Sequence, residues 1–314
     1  HLHRYMEVRR EILGVKELHL WDLSVPLVKE GSRQIPYEEA EELLIASVAP
    51  LGEEYQQQLM QGLGAEAWVD RYENEGKRSG AYSSGCFDSC PFILMNYKGL
   101  LNDALTLAHE AGHSMHSQLS RLNQPYHDFR YPIFVAEVAS TFNEELLFRL
   151  LLAKASREQE RLFLINQRLD GIRSTFFRQT MFAEFELYVH EVIERGEPLT
   201  PAILKEKYYV LNKEYFGPHV CLDREIEMEW ARIPHFYYNF YVYQYATGIA
   251  ASHALMKIVE KEGPSRYLKF LSSGGSGYPL DLLKVAGIDM EQKEAISLFG
   301  AYFRELTEEL KKLL

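Results

Sequence analysis

Two histidines and one glutamate carry the spacing of a hydrolytic metal site. His109, Glu110 and His113 form an H-E-x-x-H string inside a strongly helical stretch. Four residues make about one helical turn, so both imidazoles project from one helix face towards a shared point. Two neutral imidazoles suit Zn²⁺, and a carboxylate that does not bind the metal suits a general base acting on water. The string therefore predicts one zinc ion and hydrolytic chemistry.

The residues around the string indicate that its helix is buried. Apolar side chains flank it, and Gly112 allows another backbone to approach closely. A buried cluster of two histidines and a glutamate without a metal would leave costly unsatisfied polar groups. The alternative is an exposed helix face that carries two histidines by chance.

A third protein ligand is required, and one coordination position must stay open for water. One known pattern places a histidine at position 119, where this chain has Leu119. The next apolar helical stretch offers Glu137 and Glu144, which are two turns apart and share a face. Glu137 lies 28 positions after His109 (137 − 109), enough for one helix to end and the next to return antiparallel.

We therefore predict Glu137 as the third ligand. Glu144 is predicted to orient a ligating histidine through that ring's second nitrogen, although it could also be a solvated helix acid. His116 is predicted to contact either a ligand or the substrate, because a fourth protein ligand would close the site.

The string H-E-x-G-H-S-x-H followed by F-V-A-E-V-A-S-T-F-N-E resembles the oligoendopeptidase F branch of the thimet-oligopeptidase-like zinc peptidases. The resemblance continues through residues 80–85, 234–248 and 274–279. It implies zinc ligands His109, His113 and Glu137, with Glu110 as base. Family members are longer, which implies that residues 1–314 are a catalytic fragment and that the missing N-terminal helical half is a candidate partner.

Composition narrows the function classes. A chain of 314 residues can form one large or two interleaved domains. The net charge of −11 argues against nucleic-acid binding, and no apolar run approaches the length of a membrane span. Cys86, Cys90 and Cys221 predict free thiols in a reducing cytoplasm, with a Cys86–Cys90 disulfide as the alternative.

Helical patterns dominate the chain and predict a mainly α fold, a helical zinc-peptidase catalytic domain. A strand is predicted over 17–26. Residues 77–97 alternate in the β manner and predict a small antiparallel sheet beside the H-E-x-x-H helix. The predicted later helices cover 99–121, 134–153, 156–194, 199–214, 235–261, 264–271 and 291–313.

The strand before the zinc helix has a functional interpretation beside its structural one. Peptidases can hold an extended peptide against an exposed sheet edge through main-chain hydrogen bonds. Gly80, Ala81 and Tyr82 are the predicted substrate contacts there, and a purely structural hairpin is the alternative. The glycine-rich run 272–277 lacks the ending of a phosphate-binding loop and predicts a mobile connection between two helices.

An aromatic segment supplies candidate donors for a developing oxyanion. His235, Tyr238, Tyr241 and Tyr245 fall at offsets of three, six and ten, close to one stripe of the predicted helix 235–261. Such stripes are usually core, but several hydroxyl and imidazole groups would be costly to bury dry. We predict His235, Tyr241 and Tyr245 as catalytic donors and Tyr238 as a substrate contact, and the family resemblance also places donors in this segment.

These residues predict hydrolysis of internal bonds in short peptides, with Glu110 as general base. Two alternatives stay open. One is a dipeptidyl carboxypeptidase or carboxypeptidase on the same scaffold, for which Arg224 and Arg232 could bind a free C-terminus. The other is a zinc-binding but inactive fragment that lacks its N-terminal half.

Overall fold

Two compact units, each assembled from separate stretches of the chain, make up the computed structural model, which describes residues 1–28 and 34–314. Unit 1 comprises His1–Gly31, Ser156–Thr247 and Gly300–Leu314. Unit 2 comprises Ser32–Ala155 and Gly248–Phe299.

Helices dominate both units, which confirms the predicted mainly α class. In chain order they are α1 (Leu2–Leu13), α2 (Tyr37–Ser47), α3 (Glu53–Leu63), α4 (Leu101–Asn123), α5 (Ile133–Lys154), α6 (Glu158–Ile172), α7 (Arg178–Glu194), α8 (Pro201–Phe216), α9 (Tyr243–Glu262), α10 (Ser265–Leu271), α11 (Pro279–Ala286) and α12 (Glu294–Leu313). The strands are β1 (Leu18–His19), β2 (Val69–Asp70), β3 (Tyr82–Ser84), β4 (Phe92–Leu94) and β5 (Val220–Cys221). Short 3₁₀ segments cover Leu20–Ser24, Ala49–Leu51, Arg224–Arg232 and Pro234–Tyr237.

The core of unit 2 is built around α4 and α5. The carboxylate of Asp103 accepts hydrogen bonds from the backbone N–H groups of Lys98 and Leu100, both at 2.9 Å, and so caps the start of α4. Ala108 and Ala111 on α4 and Val138 on α5 are fully buried in one apolar cluster with α2, α3, α10 and α11. Small residues on both helices let the two backbones approach closely. This close packing fixes the relative position of α4 and α5 and of the polar side chains that they carry.

The small sheet of unit 2 lies beside α4, as predicted, but it is mixed rather than purely antiparallel. β3 pairs antiparallel to β4, whereas β2 pairs parallel to β4 on its other side. Ser83 of β3 shares a hydrogen bond with Ser114 of α4, with 2.8 Å between the two hydroxyl oxygens. The two-residue strand β2 has no alternating pattern of its own, so its sequence could not predict the parallel pairing.

In unit 1, α6 and α7 run as one long helix interrupted by a π-helical turn at Arg173–Phe177, close to the predicted 156–194. The strand predicted over 17–26 is wrong beyond β1, because a 3₁₀ turn follows directly. Asp22 accepts the backbone N–H of His19 at 2.8 Å, and the buried Arg9 donates to the carbonyl oxygen of Val25 at 2.7 Å. These side-chain contacts replace a strand partner for the segment.

Among the described residues, no helix combines the length and the apolar character that crossing a bilayer would need.

Candidate metal centre

One turn of α4 brings the two histidines of the string together. The rings of His109 and His113 are 4.8 Å apart between centroids and stand at 83° to each other. Nε2 of His109 lies 3.4 Å from Oε2 of Glu137, and Nε2 of His113 lies 3.8 Å from the same oxygen. The potential ligand atoms of all three residues lie within 4.8 Å of one another. The structure therefore brings together the three residues predicted as ligands.

Two glycines determine where α5 places Glu137. A Cβ atom on Gly112 of α4 would lie 2.5 Å from the carbonyl oxygen of Ala139, so the two backbones touch directly before His113 and two residues after Glu137. A Cβ on Gly248 of α9 would lie 2.7 Å from Cβ of Glu137. Glu137 is thus confined by close contacts on two sides. Gly248 was not predicted as part of the site, although it ends one of the segments that carry the family resemblance.

The donor set fits zinc. Tetrahedral Zn²⁺ bonds to nitrogen and carboxylate oxygen at about 2.0–2.2 Å, which places neighbouring ligand atoms roughly 3.3–3.5 Å apart. The observed 3.4 Å and 3.8 Å are close to that spacing. Burial raises the pKa of Glu137 and of Glu110, because the charged carboxylate is disfavoured away from water. A bound cation would offset this cost.

The rings of His109 and His113 each have a further hydrogen-bond partner. Nδ1 of His109 hydrogen-bonds to Oε1 of Glu144 at 2.5 Å, which leaves Nε2 facing Glu137. Burial opposes the charged form of His109, yet the Glu144 hydrogen bond and the nearby carboxylates raise its pKa to about 9. The ring of His113 hydrogen-bonds to the backbone of Ala136, while burial and His109 hold its pKa well below the usual value. Glu144 thus lies against His109, one of the predicted ligands, and its orienting role stays a prediction.

Glu110 lies beside the ligands without belonging to the ligand group. Glu110 is only 6% exposed, and the backbone N–H of Ser83 donates a hydrogen bond to its carboxylate. Burial is the main cause of its raised pKa; His109 lowers that pKa and Glu137 raises it. A carboxylate with a raised pKa beside a metal site can accept a proton and release it again, as a general base must.

His116 is buried against an aromatic ring, outside the ligand group. It stacks on Tyr131 with 3.6 Å between centroids and 3° between planes. Its Nδ1 has no hydrogen-bond partner within the described part of the chain, and burial lowers its pKa to about 3. The Tyr131 hydroxyl contacts the Ser117 hydroxyl at 3.2 Å and donates to the carbonyl oxygen of His113 at 3.4 Å. Tyr131 was not predicted; only its position shortly before Glu137 could have suggested it.

The predicted substrate contacts lie at the start of an edge strand. β3 flanks only β4 within the described sheet, and Tyr82 is 52% exposed. Gly80 adopts φ 90°, and its carbonyl oxygen accepts a hydrogen bond from Asn96 at 2.8 Å. Ala81 follows directly. This edge has the exposure that strand addition by a peptide would need.

The aromatic segment departs from its predicted helix. His235 lies in the 3₁₀ turn Pro234–Tyr237, Tyr238 and Tyr241 lie in irregular backbone, and only Tyr245 lies in α9. Phe240 has φ 56°, which an α-helix cannot contain, and its N–H donates to the buried Glu186 at 2.8 Å. The single helical stripe is therefore wrong, because a tertiary hydrogen bond outweighs the local periodicity.

Within unit 1, the rings of this segment still gather. His235 and Tyr241 are 5.7 Å apart between centroids, His235 and Tyr245 are 6.1 Å apart, and Tyr241 and Tyr245 are 5.5 Å apart. Tyr238 lies 6.1 Å from Tyr241 and is 68% exposed. The roles predicted for these four residues stay predictions.

The three cysteines are free thiols, as predicted.

Comparisons with known proteins agree with the geometry. The profile of Peptidase family M3 matches residues 1–298. Oligopeptidase PepF of Bacillus subtilis is 51% identical, with 100% of this chain and 47% of that protein covered. The chromosomal oligoendopeptidase F of Lactococcus lactis subsp. cremoris is 45% identical, with coverages of 100% and 52%.

A solved structure gives the same result. Oligoendopeptidase-F from Enterococcus faecium superimposes with a TM-score of 0.75 at 37% identity, over 99% of this chain and 49% of that one. The chain therefore spans about half the length of these relatives. The resemblance to oligoendopeptidase F is confirmed, and this chain belongs to Peptidase family M3.

Proposed function

We propose that this chain carries the active site of a zinc-dependent endopeptidase that hydrolyses internal bonds of short peptides. One observation carries the proposal: two imidazole nitrogens and one carboxylate oxygen converge, while Glu110 stays beside them outside the ligand group. Three protein ligands leave a coordination position for water, the arrangement of catalytic rather than structural zinc sites.

Each polar residue of the site has a distinct role in this proposal. His109, His113 and Glu137 hold the zinc ion, which when bound supplies Lewis-acid polarisation of the scissile carbonyl and acidifies water. Glu144 fixes the orientation of the His109 ring through Nδ1. Glu110, held by the N–H of Ser83, accepts the proton of the attacking water and delivers it to the departing amine.

Two further groups complete the proposal. His235, Tyr241 and Tyr245 donate hydrogen bonds to the substrate oxyanion, a role supported by the proximity of their rings in unit 1. The substrate peptide lies along the edge of β3 near Gly80, Ala81 and Tyr82, with Tyr238 as a further contact. The relatives named oligopeptidase and oligoendopeptidase support short peptides as the substrate class. The free thiols support a cytoplasmic location.

The test is a digest of a mixed library of short peptides by the zinc-loaded protein, with and without a chelator, followed by mass spectrometry. We expect cleavage of blocked, amidated peptides, which a carboxypeptidase would leave intact. Glu110→Gln should keep the zinc content and lower turnover by about 10²–10⁴-fold, the usual size of a general-base contribution.

Three results would contradict the proposal. Turnover near the wild-type rate in Glu110→Gln would exclude Glu110 as the general base. Cleavage that survives the chelator would exclude a metal-dependent reaction. Stoichiometric zinc with no cleavage of any peptide would instead identify a metal-binding but inactive fragment.

A further inference from the structure

Unit 2 also contains a cavity beside the end of β3. We propose that this cavity, flanked by Arg121 and Arg130, is a subsite that binds a carboxylate of the peptide substrate. The inference rests on the proposed peptidase function and specifies which peptides the site prefers.

The lining of the cavity is positively charged, although the protein as a whole is acidic. Its volume is about 170 Å³, and its lining includes Gly85, Cys86, Ser117, Arg121, Arg130 and Tyr131. No aspartate or glutamate occurs among the described residues that line it. The whole chain has 45 acidic and 34 basic residues, so a cavity with two cations and no anion runs against its overall balance.

Both arginines lack a carboxylate partner within the described ranges. Nε of Arg121 donates to Oε1 of the buried Gln118 at 2.9 Å, which orients the guanidinium without neutralising it. The guanidinium of Arg130 lies 5.6 Å from the ring centroid of Phe129, its neighbour in the chain. Most other arginines of the described structure pair with an acid, for example Arg149 with Glu145 at 2.7 Å. Two unneutralised guanidinium groups at one cavity favour an anionic ligand, because arginine binds carboxylates through two parallel hydrogen bonds.

The backbone that carries Arg130 is held by close contacts. The N–H of Gly275 donates to the carbonyl oxygen of Asp128 at 2.6 Å. A Cβ on Gly275 would lie 2.5 Å from the carbonyl oxygen of Arg130, and a Cβ on Gly274 would lie 2.4 Å from that of Asp128. The glycine-rich turn between α10 and α11 thus packs directly on the segment before α5 and fixes one wall of the cavity.

The cavity continues from the proposed catalytic residues along α4. Ser117 and Arg121 follow His113 by four and eight residues, which places them about 6 Å and 12 Å further along the helix axis. Tyr131 lines the cavity and also reaches the carbonyl oxygen of His113. Gly85 directly follows β3, so a peptide added along β3 would extend towards the cavity.

The distance defines the position of the carboxylate. An extended peptide advances about 3.3 Å per residue, so about 12 Å corresponds to three or four residues. One ordered water needs only roughly 10–15 Å³ of cavity volume, so about 170 Å³ accommodates a carboxylate with part of its chain. The carboxylate could belong to an acidic side chain or to the C-terminus of a short peptide, and the experiment separates these two sources.

The experiment measures peptide binding to zinc-loaded Glu110→Gln protein by calorimetry, so that no peptide is consumed. One series of blocked, amidated octapeptides carries a single Glu, or Gln as its neutral match, at each position in turn. A second series of graded length has a free C-terminal carboxylate or an amide. We expect about tenfold tighter binding of the carboxylate member at one position or one length, as for a partly exposed charge-assisted contact.

Variants assign this preference to the arginines. Arg121→Gln and Arg130→Gln should each reduce the carboxylate-to-neutral ratio towards one, and Arg130→Glu should favour a lysine peptide instead. Arg266→Gln is the matched control, because this exposed arginine of unit 2 pairs with Glu262 and does not line the cavity. It should keep the wild-type ratio.

The outcomes are separable. A preference in the blocked series identifies an acidic side chain, and one confined to the second series identifies the C-terminus; both support the subsite. A ratio near one at every position and length, or a ratio that survives the Arg121→Gln/Arg130→Gln double variant, overturns the subsite while the peptidase proposal stands. If no peptide binds and the wild-type protein cleaves none, the proposed function fails and the subsite fails with it.

Discussion

The helix pair α4–α5 and the aromatic segment 234–245 both position polar side chains, but they do so with different kinds of backbone. In the pair, regular helical backbone sets His109 and His113 one turn apart, and backbone contact at Gly112 adds Glu137. In the segment, Phe240 adopts a left-handed conformation, and the N–H of Phe240 depends on Glu186 for its acceptor. The two histidines of the first arrangement are placed by regular helical backbone, whereas the irregular backbone of the second depends on one distant side chain. Damage to each should therefore have different consequences.

The largest expected effect comes from separating the helix pair. Gly112→Ala places a methyl group 2.5 Å from the carbonyl oxygen of Ala139, so α4 and α5 must move apart. We expect a loss of about 1–3 kcal/mol in the free energy of unfolding, as for other overpacked sites, and weaker zinc binding. Denaturant unfolding and chelator competition measure the two effects.

Gly171→Ala is the matched control for that substitution. Gly171 is also helical, in α6, and a Cβ there meets nothing within 4 Å. It should be neutral or stabilising by up to about 1 kcal/mol, because alanine is the better helix former. Equal destabilisation by both substitutions would mean that backbone contact between α4 and α5 is not what glycine provides at position 112.

A smaller effect is expected from Glu144, which contacts the proposed ligand His109. Glu144→Gln replaces the carboxylate that hydrogen-bonds to Nδ1 of His109 by a neutral amide of the same shape. Zinc affinity should fall about 10-fold, the lower end of the range for such outer partners. Competition with a fluorescent chelator gives the dissociation constant.

The neighbouring residue provides the comparison for Glu144. Glu145 is buried and pairs with Arg149 at 2.7 Å. Glu145→Gln should lower stability while zinc affinity stays within about twofold. If the two substitutions weaken zinc equally, the effect of Glu144 reflects general packing of α5 rather than its hydrogen bond to His109.

The smallest effect sharpens the contrast with the aromatic segment. Glu186→Ala removes the acceptor of the Phe240 N–H and should cost about 1–2 kcal/mol in stability. Zinc affinity should not change, because the three proposed ligands all lie in unit 2. Glu191→Ala, on the same helix and exposed, is the control for a lost surface carboxylate. A fall in zinc affinity with Glu186→Ala would show that the two regions are not energetically independent.

Prediction from sequence succeeded for the regular helix pair and failed for the backbone of the aromatic segment. The convergence of His109 and His113 could be predicted, because helical spacing fixes which side chains share a face, and Glu137 and Glu144 could be chosen because they share a face of the next helix. The aromatic residues could be chosen by their chemistry, but their backbone could not, since nothing in the local pattern indicates a left-handed Phe240 bonded to Glu186. The mixed sheet was missed for a related reason: β2 is only two residues long and gains its pairing from β4.

The arginine cavity shows the limit most clearly. Arg121 lies in the last turn of α4 and Arg130 lies in a connecting segment, and their spacing matches no motif. Their relation becomes visible only when Gly85, at the end of β3, and Tyr131 line the same cavity. Charge composition alone suggested an acidic protein and gave no indication of a local cationic site.

The sequence by itself determined which polar groups the candidate site contains: two imidazoles one helical turn apart, a carboxylate between them in the chain, and two more on the next helix. Helical periodicity is a local property, so residue spacing is enough to define it. Only the tertiary structure decided that Gly112 and Gly248 confine Glu137, that the aromatic segment leaves the helix, and that two arginines flank one cavity. Each of these depends on atoms from distant parts of the chain that meet only after folding.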